Sequence, residues 1–168
     1  MNKRHLIYIA LALLLAGAGW YYHAGRDGRR IHRRLNQLTQ LVEKEAGQSP
    51  LRGISKARAI GGYFTDEAVV QLYPIVPDPI RQSDLAPVLH YAHNQADRLS
   101  VRISDRRLDI DRERGTARLR FTARGTVHTG GGSQSMVHEF ELDWVKRDRE
   151  WYIEKAAVVQ AIRAPRAR

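Results

Sequence analysis

Three side chains of this sequence are of the types that enzymes use as general acids and bases. His138 lies between Met136 and Phe140 in an alternating segment, which predicts that its imidazole shares the apolar face of a strand. Tyr63 and Asp66 come just before a short strand, where they could border the mouth of a pocket. His138, Asp66 and Tyr63 are therefore candidate catalytic residues. A core or rim histidine and a turn or cap aspartate are the simpler explanations of the same positions.

The sequence gives weaker evidence for a metal-binding or a phosphate-binding site. His90 and His93 are three residues apart on a predicted helix, but no third ligand accompanies them at a recognisable spacing. The chain has no cysteine, which excludes thiolate metal sites, disulfides and a cysteine nucleophile. No lysine follows Gly130–Gly132, so these glycines do not match a phosphate-binding loop. We therefore expect no metal and no cofactor.

The last predicted strand contains Lys155, for whose side chain two orientations are compatible with the sequence. Lys155 shares its parity with Trp151 and Ile153, so its side chain either reaches the rim of a pocket or lies inside it. By the same parity no aspartate or glutamate falls on the apolar face of the long strands.

The formal net charge of +10 is concentrated at the two ends of this 168-residue chain. Residues 1–34 contain seven Lys/Arg and one Asp, and residues 163–168 contain three Arg. Residues 35–162 contain eighteen Lys/Arg and seventeen Asp/Glu, so the body is nearly neutral. A basic face with interleaved aromatic residues, which is typical of nucleic-acid binding, is missing from the pattern. We expect no nucleic acid among the partners.

The segment Leu6–Tyr22 is 17 residues long and carries no charge. As a helix it would span about 26 Å, close to the lower limit for crossing a bilayer. Aromatic residues collect at its end (Trp20 to Tyr22), as they do at a membrane interface. We interpret it as a transmembrane anchor, with a cleaved signal segment ending near Ala18 as the alternative.

Basic residues on both sides of this segment leave the side of the membrane undecided. Five arginines between positions 26 and 34 favour a cytoplasmic C-terminal domain by the positive-inside rule. Lys3 and Arg4 precede the segment and argue for the opposite orientation. We expect a single-pass membrane protein in contact with the lipid bilayer.

Hydrophobic spacing divides the remaining chain into helices followed by long strands. Helical spacing predicts helices over 29–46, Ile54–Tyr63 and Ser83–Asp97, and a short strand over Glu67–Tyr73. Period two then predicts four antiparallel strands from Leu99 to Ile162. The resulting regions are a basic N-terminus (1–5), the apolar segment (6–22), a basic linker (23–30), one folded domain (31–163) and a basic tail (164–168).

The strands carry two further signals. The apolar parity changes between Ser104 and Arg107, which predicts a β-bulge. Pairing the apolar faces places Leu119 opposite Trp144 and His138 opposite Gly125, with Arg120 against Asp143 on the outer face. We therefore expect an α+β fold with helices packed on a mostly antiparallel sheet.

This pattern resembles the nuclear transport factor 2-like superfamily, which includes SnoaL-type polyketide cyclases and ketosteroid isomerases. The matching features are the short helix running into "GYFTDEAVVQLYP", the helix in "SDLAPVLHYAHNQADRLSVRI" and the late strand "REWYIEKAAVV". The resemblance implies a curved sheet closed by helices into a cone-shaped, cystatin-like roll with an apolar pocket. It also implies a homodimer formed through the sheet. Family enzymes place a carboxylate deep in the cone, and this chain offers none there.

The sequence thus favours a membrane-tethered, non-catalytic domain that binds a small apolar ligand or a protein partner, for example within a cell-envelope assembly. The alternative is an isomerase- or dehydratase-like enzyme that uses His138 with Tyr63 or Asp66. The residues expected to bind the ligand are Tyr63, Phe121, His138, Phe140 and Trp144.

Overall fold

The computed structural model describes residues 25–162, in a chain that divides into two compact units, 1–33 and 34–168. In the first unit, residues 25–33 are helical. The predicted anchor at 6–22 and the basic tail at 164–168 lie outside the described residues. Within the described part of the chain, no helix is both long enough and apolar enough to cross a membrane.

Three helices belong to the second unit. Residues 34–42 form α1, Pro50–Ile60 form α2 and Leu85–Gln95 form α3, with 3-10 turns at Gly61–Tyr63 and Gln82–Asp84. The predicted extension of the first helix to residue 46 is wrong, because Lys44 leaves the helix and pairs through its backbone with Leu99. The second helix begins earlier than predicted, since the Ser49 hydroxyl accepts from the Arg52 backbone N–H and Pro50 occupies the first helical position.

Six strands form one mixed sheet. In chain order they are β1 (Phe64–Gln71), β2 (Ile80–Arg81), β3 (Arg98–Asp111), β4 (Thr116–Thr129), β5 (Gly132–Arg147) and β6 (Glu150–Ile162). The spatial order is β2-β1-β6-β5-β4-β3, with β1 parallel to β6 and the other pairs antiparallel. The predicted α+β class and the four-strand meander are confirmed, and the two-residue strand β2 was not predicted.

The predicted bulge in β3 is confirmed. The pairing of β3 with β4 shifts between Ser104 and Arg107, and Asp105 has a positive φ of 53°. A tight turn at Asp148-Arg149 joins β5 to β6, and both residues have positive φ, as a type I′ two-residue hairpin requires.

The predicted register between β4 and β5 is wrong by two residues. Trp144 pairs with Ala117 rather than Leu119, His138 pairs with Ala123 rather than Gly125, and Asp143 faces Arg118. A shift of two residues leaves every side chain on its face, so alternation alone cannot detect it. The hairpin decides the register, because Thr129 pairs with Gly132 across a two-residue turn.

A second bulge, between β5 and β6, corrects the expectation for Lys155. The pairing shifts between Asp143, which faces Lys155, and Trp144, which faces Ile153. Parity therefore changes along β6, and Ala156 is buried while Lys155 is exposed. Lys155 neither enters a pocket nor follows Trp151 and Ile153 onto the inner face of the sheet.

The core lies between the helices and the inner face of the sheet. Its helical part includes Leu35, Ile60 and Leu89, all at least nine-tenths buried. The outer face is polar, with Arg118 Nε 2.8 Å from Asp143 Oδ1 and Arg120 Nε 2.6 Å from Glu141 Oε2. The predicted separation of apolar and charged faces is confirmed.

Candidate functional site

One end of the inner face of the sheet brings three predicted ligand-binding residues together. Phe121 and Phe140 are directly opposite on β4 and β5, with ring centroids 5.6 Å apart and planes 13° from parallel. The imidazole of His138, two residues along β5, meets the Phe140 ring edge-on at 6.4 Å. We call Phe121, Phe140 and His138 the aromatic end of the sheet. Directly opposed and diagonal positions are the ones at which rings on one face can touch.

The imidazole of His138 has a polar atom without a partner. Its Nδ1 is buried and forms no hydrogen bond within the described part of the chain. The residue opposite, Ala123, has no polar side-chain atom to offer. A buried polar atom left unpaired costs about 1–3 kcal/mol, so this nitrogen would gain from a hydrogen-bonding group brought by a ligand.

The aromatic end is less enclosed than the best-buried part of the inner face. Its neighbours on that face are only half buried, and they are Val101, Ile103, Ala123, Val127, Met136 and Val158. Trp144, which was also expected to bind ligand, lies elsewhere. It is 1% exposed and belongs to what we call the packed end, made of Ala117, Leu119, Leu142, Trp144, Trp151 and Ile153.

Tyr63 and Asp66 occupy different surroundings from His138. The guanidinium of Arg34 lies 4.8 Å from the Tyr63 ring centroid and 5.0 Å from that of Tyr152. Arg34 Nη2 also donates to the Gly62 carbonyl at 2.9 Å, so Tyr63 lies against a cation held by the backbone. Asp66 is exposed on β1.

The pairing of the strands shows how far these candidates lie from one another. Phe64, next to Tyr63, pairs with Ile153, and Ile153 pairs with Trp144. His138 is six residues from Trp144 along β5, or about 20 Å at the rise of an extended strand. The structure therefore does not bring His138 together with Tyr63 or Asp66 into an acid–base constellation.

A different histidine, His93 on α3, is the most enclosed imidazole of the described chain. It is 2% exposed, and its Nε2 donates to the Val42 carbonyl at 2.9 Å, because a carbonyl can only accept. Its Nδ1 has no partner among the described residues. Burial lowers the pKa of His93, and the nearby charges of Lys56 and Lys44 lower it further, while the Val42 contact raises it.

Sequence reasoning treated His93 only as half of a metal pair with His90. The two imidazoles have separate partners, since His90 Nε2 lies 3.1 Å from the side-chain amide of Asn94. Within residues 25–162 no group of three or more potential ligands is arranged to hold a metal ion. The burial of His93 could have been recognised from its position, eight residues after Leu85 and four after Leu89, two other buried residues of α3.

A polar cleft of about 570 Å³ lies beside α1 and α2 and was not predicted. Its lining, which we use to define it, is Gln37, Gln40, Leu41, Glu43, Lys44, Glu45, Arg52, Lys56, Tyr63, Arg98, Leu99 and Ser100. Tyr63 is the one predicted site residue among them. The cleft shares no residue with the aromatic end.

Comparison with solved structures identifies the fold. An NTF2-like protein with a cystatin-like fold from Novosphingobium aromaticivorans superposes with a TM-score of 0.66 at 11% identity, covering 89% of this chain and 92% of that chain. A candidate scytalone dehydratase from the same organism gives 0.65 at 14% identity, covering 84% and 94%. A protein of unknown function from Mycobacterium tuberculosis gives 0.66 at 16% identity, covering 82% and 77%.

No family model and no curated protein matches the sequence. At these identities the structural likeness shows the fold alone. The chain therefore has the nuclear transport factor 2-like, cystatin-like α+β fold, as its sequence resemblance implied.

Proposed function

We propose that this chain is a non-catalytic, membrane-tethered domain that binds a small, largely apolar ligand at the aromatic end of its sheet. The observation that carries the proposal is the buried, unpartnered Nδ1 of His138, whose ring contacts Phe140, which in turn stacks on Phe121. Binding sites of this kind combine an apolar lining with a few polar groups that fix the orientation of the ligand.

The same contacts define the chemistry of the ligand. A flat apolar ring would extend the stack formed by Phe121 and Phe140. One hydroxyl group would satisfy His138 Nδ1 in either imidazole tautomer, because a hydroxyl both donates and accepts. We therefore expect an aromatic or alicyclic molecule with a single hydroxyl or carbonyl group.

Paired probes test this. In calorimetric titrations of the full chain, 1-naphthol should bind at one site and naphthalene about five- to tenfold more weakly, the value of one hydrogen bond. His138→Phe should remove the difference between the probes. His128→Phe is the matched control, because His128 has the opposite parity to Phe121 on β4 and so lies on the outer face. Equal binding of both probes to the wild-type chain would refute the proposal.

The enzymatic alternative has lost its main support. An isomerase- or dehydratase-like mechanism using His138 needs Tyr63 or Asp66 within hydrogen-bond reach. Tyr63 adjoins Phe64, whose strand partner Ile153 pairs with Trp144, and Trp144 is about 20 Å from His138 along β5. Asp66 is exposed. We therefore favour binding over catalysis.

The tether is proposed from the uncharged segment 6–22 and the aromatic residues at its end. The full chain should remain in the membrane fraction after a carbonate wash, and a chain lacking residues 1–22 should be released by it. A mature protein that begins near residue 19 would identify the segment as a cleaved signal instead. A reporter fused after Arg168 then tests the cytoplasmic side favoured by the arginines.

The outer face of the sheet offers a surface for a homodimer. Arg118 and Arg120 form a basic row on β4, next to an acidic row of Glu141 and Asp143 on β5. A two-fold axis between these rows would set the basic row of one copy against the acidic row of the other. Sedimentation at rising ionic strength tests this, because such a dimer should dissociate as salt screens the charges.

A further inference from the structure

The polar cleft contains two lysines that the fold holds in place. Lys44 Nζ donates to the carbonyls of His93 and Ala96, both at 2.6 Å, at the C-terminal end of α3. Lys56 Nζ donates to the Glu43 carbonyl, at 2.7 Å, just beyond α1. Carbonyls at helix ends lack partners within the helix and attract cations, which explains these contacts. An ammonium has three N–H donors, so Lys44 retains one and Lys56 retains two.

The positive charge of the cleft is only partly compensated. Four basic and two acidic side chains line it, an excess of two positive charges. Glu45 is paired with Arg52 at 3.3 Å, and Glu43 Oε1 accepts from the Val101 backbone N–H at 3.0 Å. Lys44, Lys56 and Arg98 form no ion pair with a carboxylate in the described part of the chain.

The pKa values of two groups, the half-buried Lys56 and the buried His93, respond to this charge. Burial lowers the pKa of Lys56, and the neighbouring charge of Arg52 lowers it further. Together these two effects outweigh Glu45 and Glu43, which raise it. The pKa of His93, whose carbonyl accepts from Lys44, is lowered by burial and then by the charges of Lys56 and Lys44. Burial is the main cause of both shifts, but the basic neighbours Arg52, Lys56 and Lys44 add to them, and a bound anion would offset that part.

We propose that the polar cleft binds a phosphate group, held by the free donors of Lys44 and Lys56 and by the Arg98 guanidinium. A phosphate monoester carries about two negative charges near neutral pH, which matches the excess in the lining. A cleft of about 570 Å³ is much larger than phosphate alone, so the group belongs to a larger molecule. That molecule is either a soluble phosphate ester or a lipid headgroup. The proposal does not depend on the aromatic end.

Calorimetric titration of the full chain with inorganic phosphate, at constant ionic strength, tests the site. Arg98→Gln should weaken saturable binding by about tenfold or more, the value of a hydrogen bond between charged groups. Lys56→Gln should weaken it similarly. Arg114→Gln is the matched control, since it removes the same charge from a turn residue whose side chain is 83% exposed.

A second readout distinguishes this cleft from weak binding elsewhere on a basic chain. Phosphate in the cleft should raise the pKa of His93, measured by NMR, because it offsets the lysine charges that lower it. An unchanged His93 signal, or equal losses in Arg98→Gln and Arg114→Gln, would show that the cleft is not the site. The unfolding midpoints of the three variants are measured without phosphate. A lowered midpoint identifies a variant whose loss of phosphate binding comes from misfolding.

Vesicles distinguish the two sources of the phosphate group. A chain lacking residues 1–22 is tested for flotation with vesicles of phosphatidic acid and of phosphatidylcholine. Flotation with phosphatidic acid alone would identify a lipid headgroup, provided that Arg98→Gln abolishes the flotation and Arg114→Gln does not. Saturable phosphate binding without flotation would identify a soluble ester. If the chain shows no phosphate binding and no Arg98-dependent flotation, the proposal is overturned.

Discussion

The two ends of the inner face of the sheet share the same alternation of apolar and polar residues, but they differ in how deeply their apolar side chains are buried. At the packed end Leu119, Trp144, Trp151 and Ile153 are at most 1% exposed, and together they form the best-buried part of the sheet. At the aromatic end Phe121 and Phe140 stack, but His138 and most of the surrounding apolar residues are only half buried. The pattern of side chains is continuous along β4 and β5, whereas the degree of burial is not.

This difference indicates where stability and function are separated in the molecule. Side chains that are fully enclosed stabilise the fold and cannot contact a ligand without opening it. At the aromatic end Phe121 is 6% exposed, while His138 and Phe140 are only half buried. This end should contribute less to stability, and a ligand would reach the buried His138 Nδ1 by displacing the side chains that cover it. Substitutions at the two ends should therefore have different consequences.

The largest expected effect is loss of stability at the packed end. Trp144→Ala should lower the free energy of unfolding by about 3–5 kcal/mol, because it leaves a large cavity in the core. Phe140→Ala, at the half-buried aromatic end, should cost less than about 3 kcal/mol. Urea denaturation of both variants measures this, and equal losses would show that the two ends are equally packed.

The next effect is a change in binding without a loss of stability. His138→Phe removes the buried, unpaired Nδ1 and keeps a ring of similar size, so the unfolding free energy should not fall and should rise by up to about 1–3 kcal/mol. The preference for 1-naphthol over naphthalene should disappear in the same variant. Destabilisation by several kcal/mol would instead make His138 a core residue of the fold.

A pH titration of stability tests the burial of His93 on α3. Because the pKa of His93 is lowered in the folded state from about 6.5, the unfolded chain binds the proton more tightly. The contribution of His93 to stability is therefore present above about pH 6.5 and is lost as the pH falls through its folded pKa. His93→Gln should reduce this pH dependence, measured as urea midpoints at pH 7 and pH 5. An unchanged slope would mean that His93 is not the group responsible.

The smallest effect is expected on the outer face. Arg120→Ala removes an ion pair with Glu141 at a position whose side chain is 51% exposed. Such pairs contribute about 0–1 kcal/mol, and salt should reduce this further. Urea denaturation at low and high ionic strength checks it. A larger loss would mean that the outer face is covered, as it would be in a dimer through the sheet.

Sequence alone predicted the faces of the sheet better than the pairing of its strands. Alternation identified the inner and outer residues of β4 and β5, and the change of parity near Ser104 predicted the bulge of β3. The register could not be read in this way, because a shift of two residues preserves alternation. The bulge near Asp143 was hidden as well, since it moves Lys155 to the outer face without a break in the apolar pattern.

The candidate site was predicted only in part for a related reason. The parity of positions along β4 and β5 predicts that Phe121, Phe140 and His138 share one face of the sheet, and their rings are close together there. Tyr63 and Trp144 were placed beside them on the expectation of one cone-shaped pocket, and the strand pairing separates them. The polar cleft depends on contacts of Lys44 and Lys56 with the ends of other helices, which no local pattern records.

The most direct test is a crystal structure of the chain with 1-naphthol bound. The account predicts the naphthol oxygen within hydrogen-bond distance of His138 Nδ1 and the ring against Phe140. A structure in which the aromatic end is closed, with His138 Nδ1 bonded to the protein and the naphthol elsewhere, would contradict it.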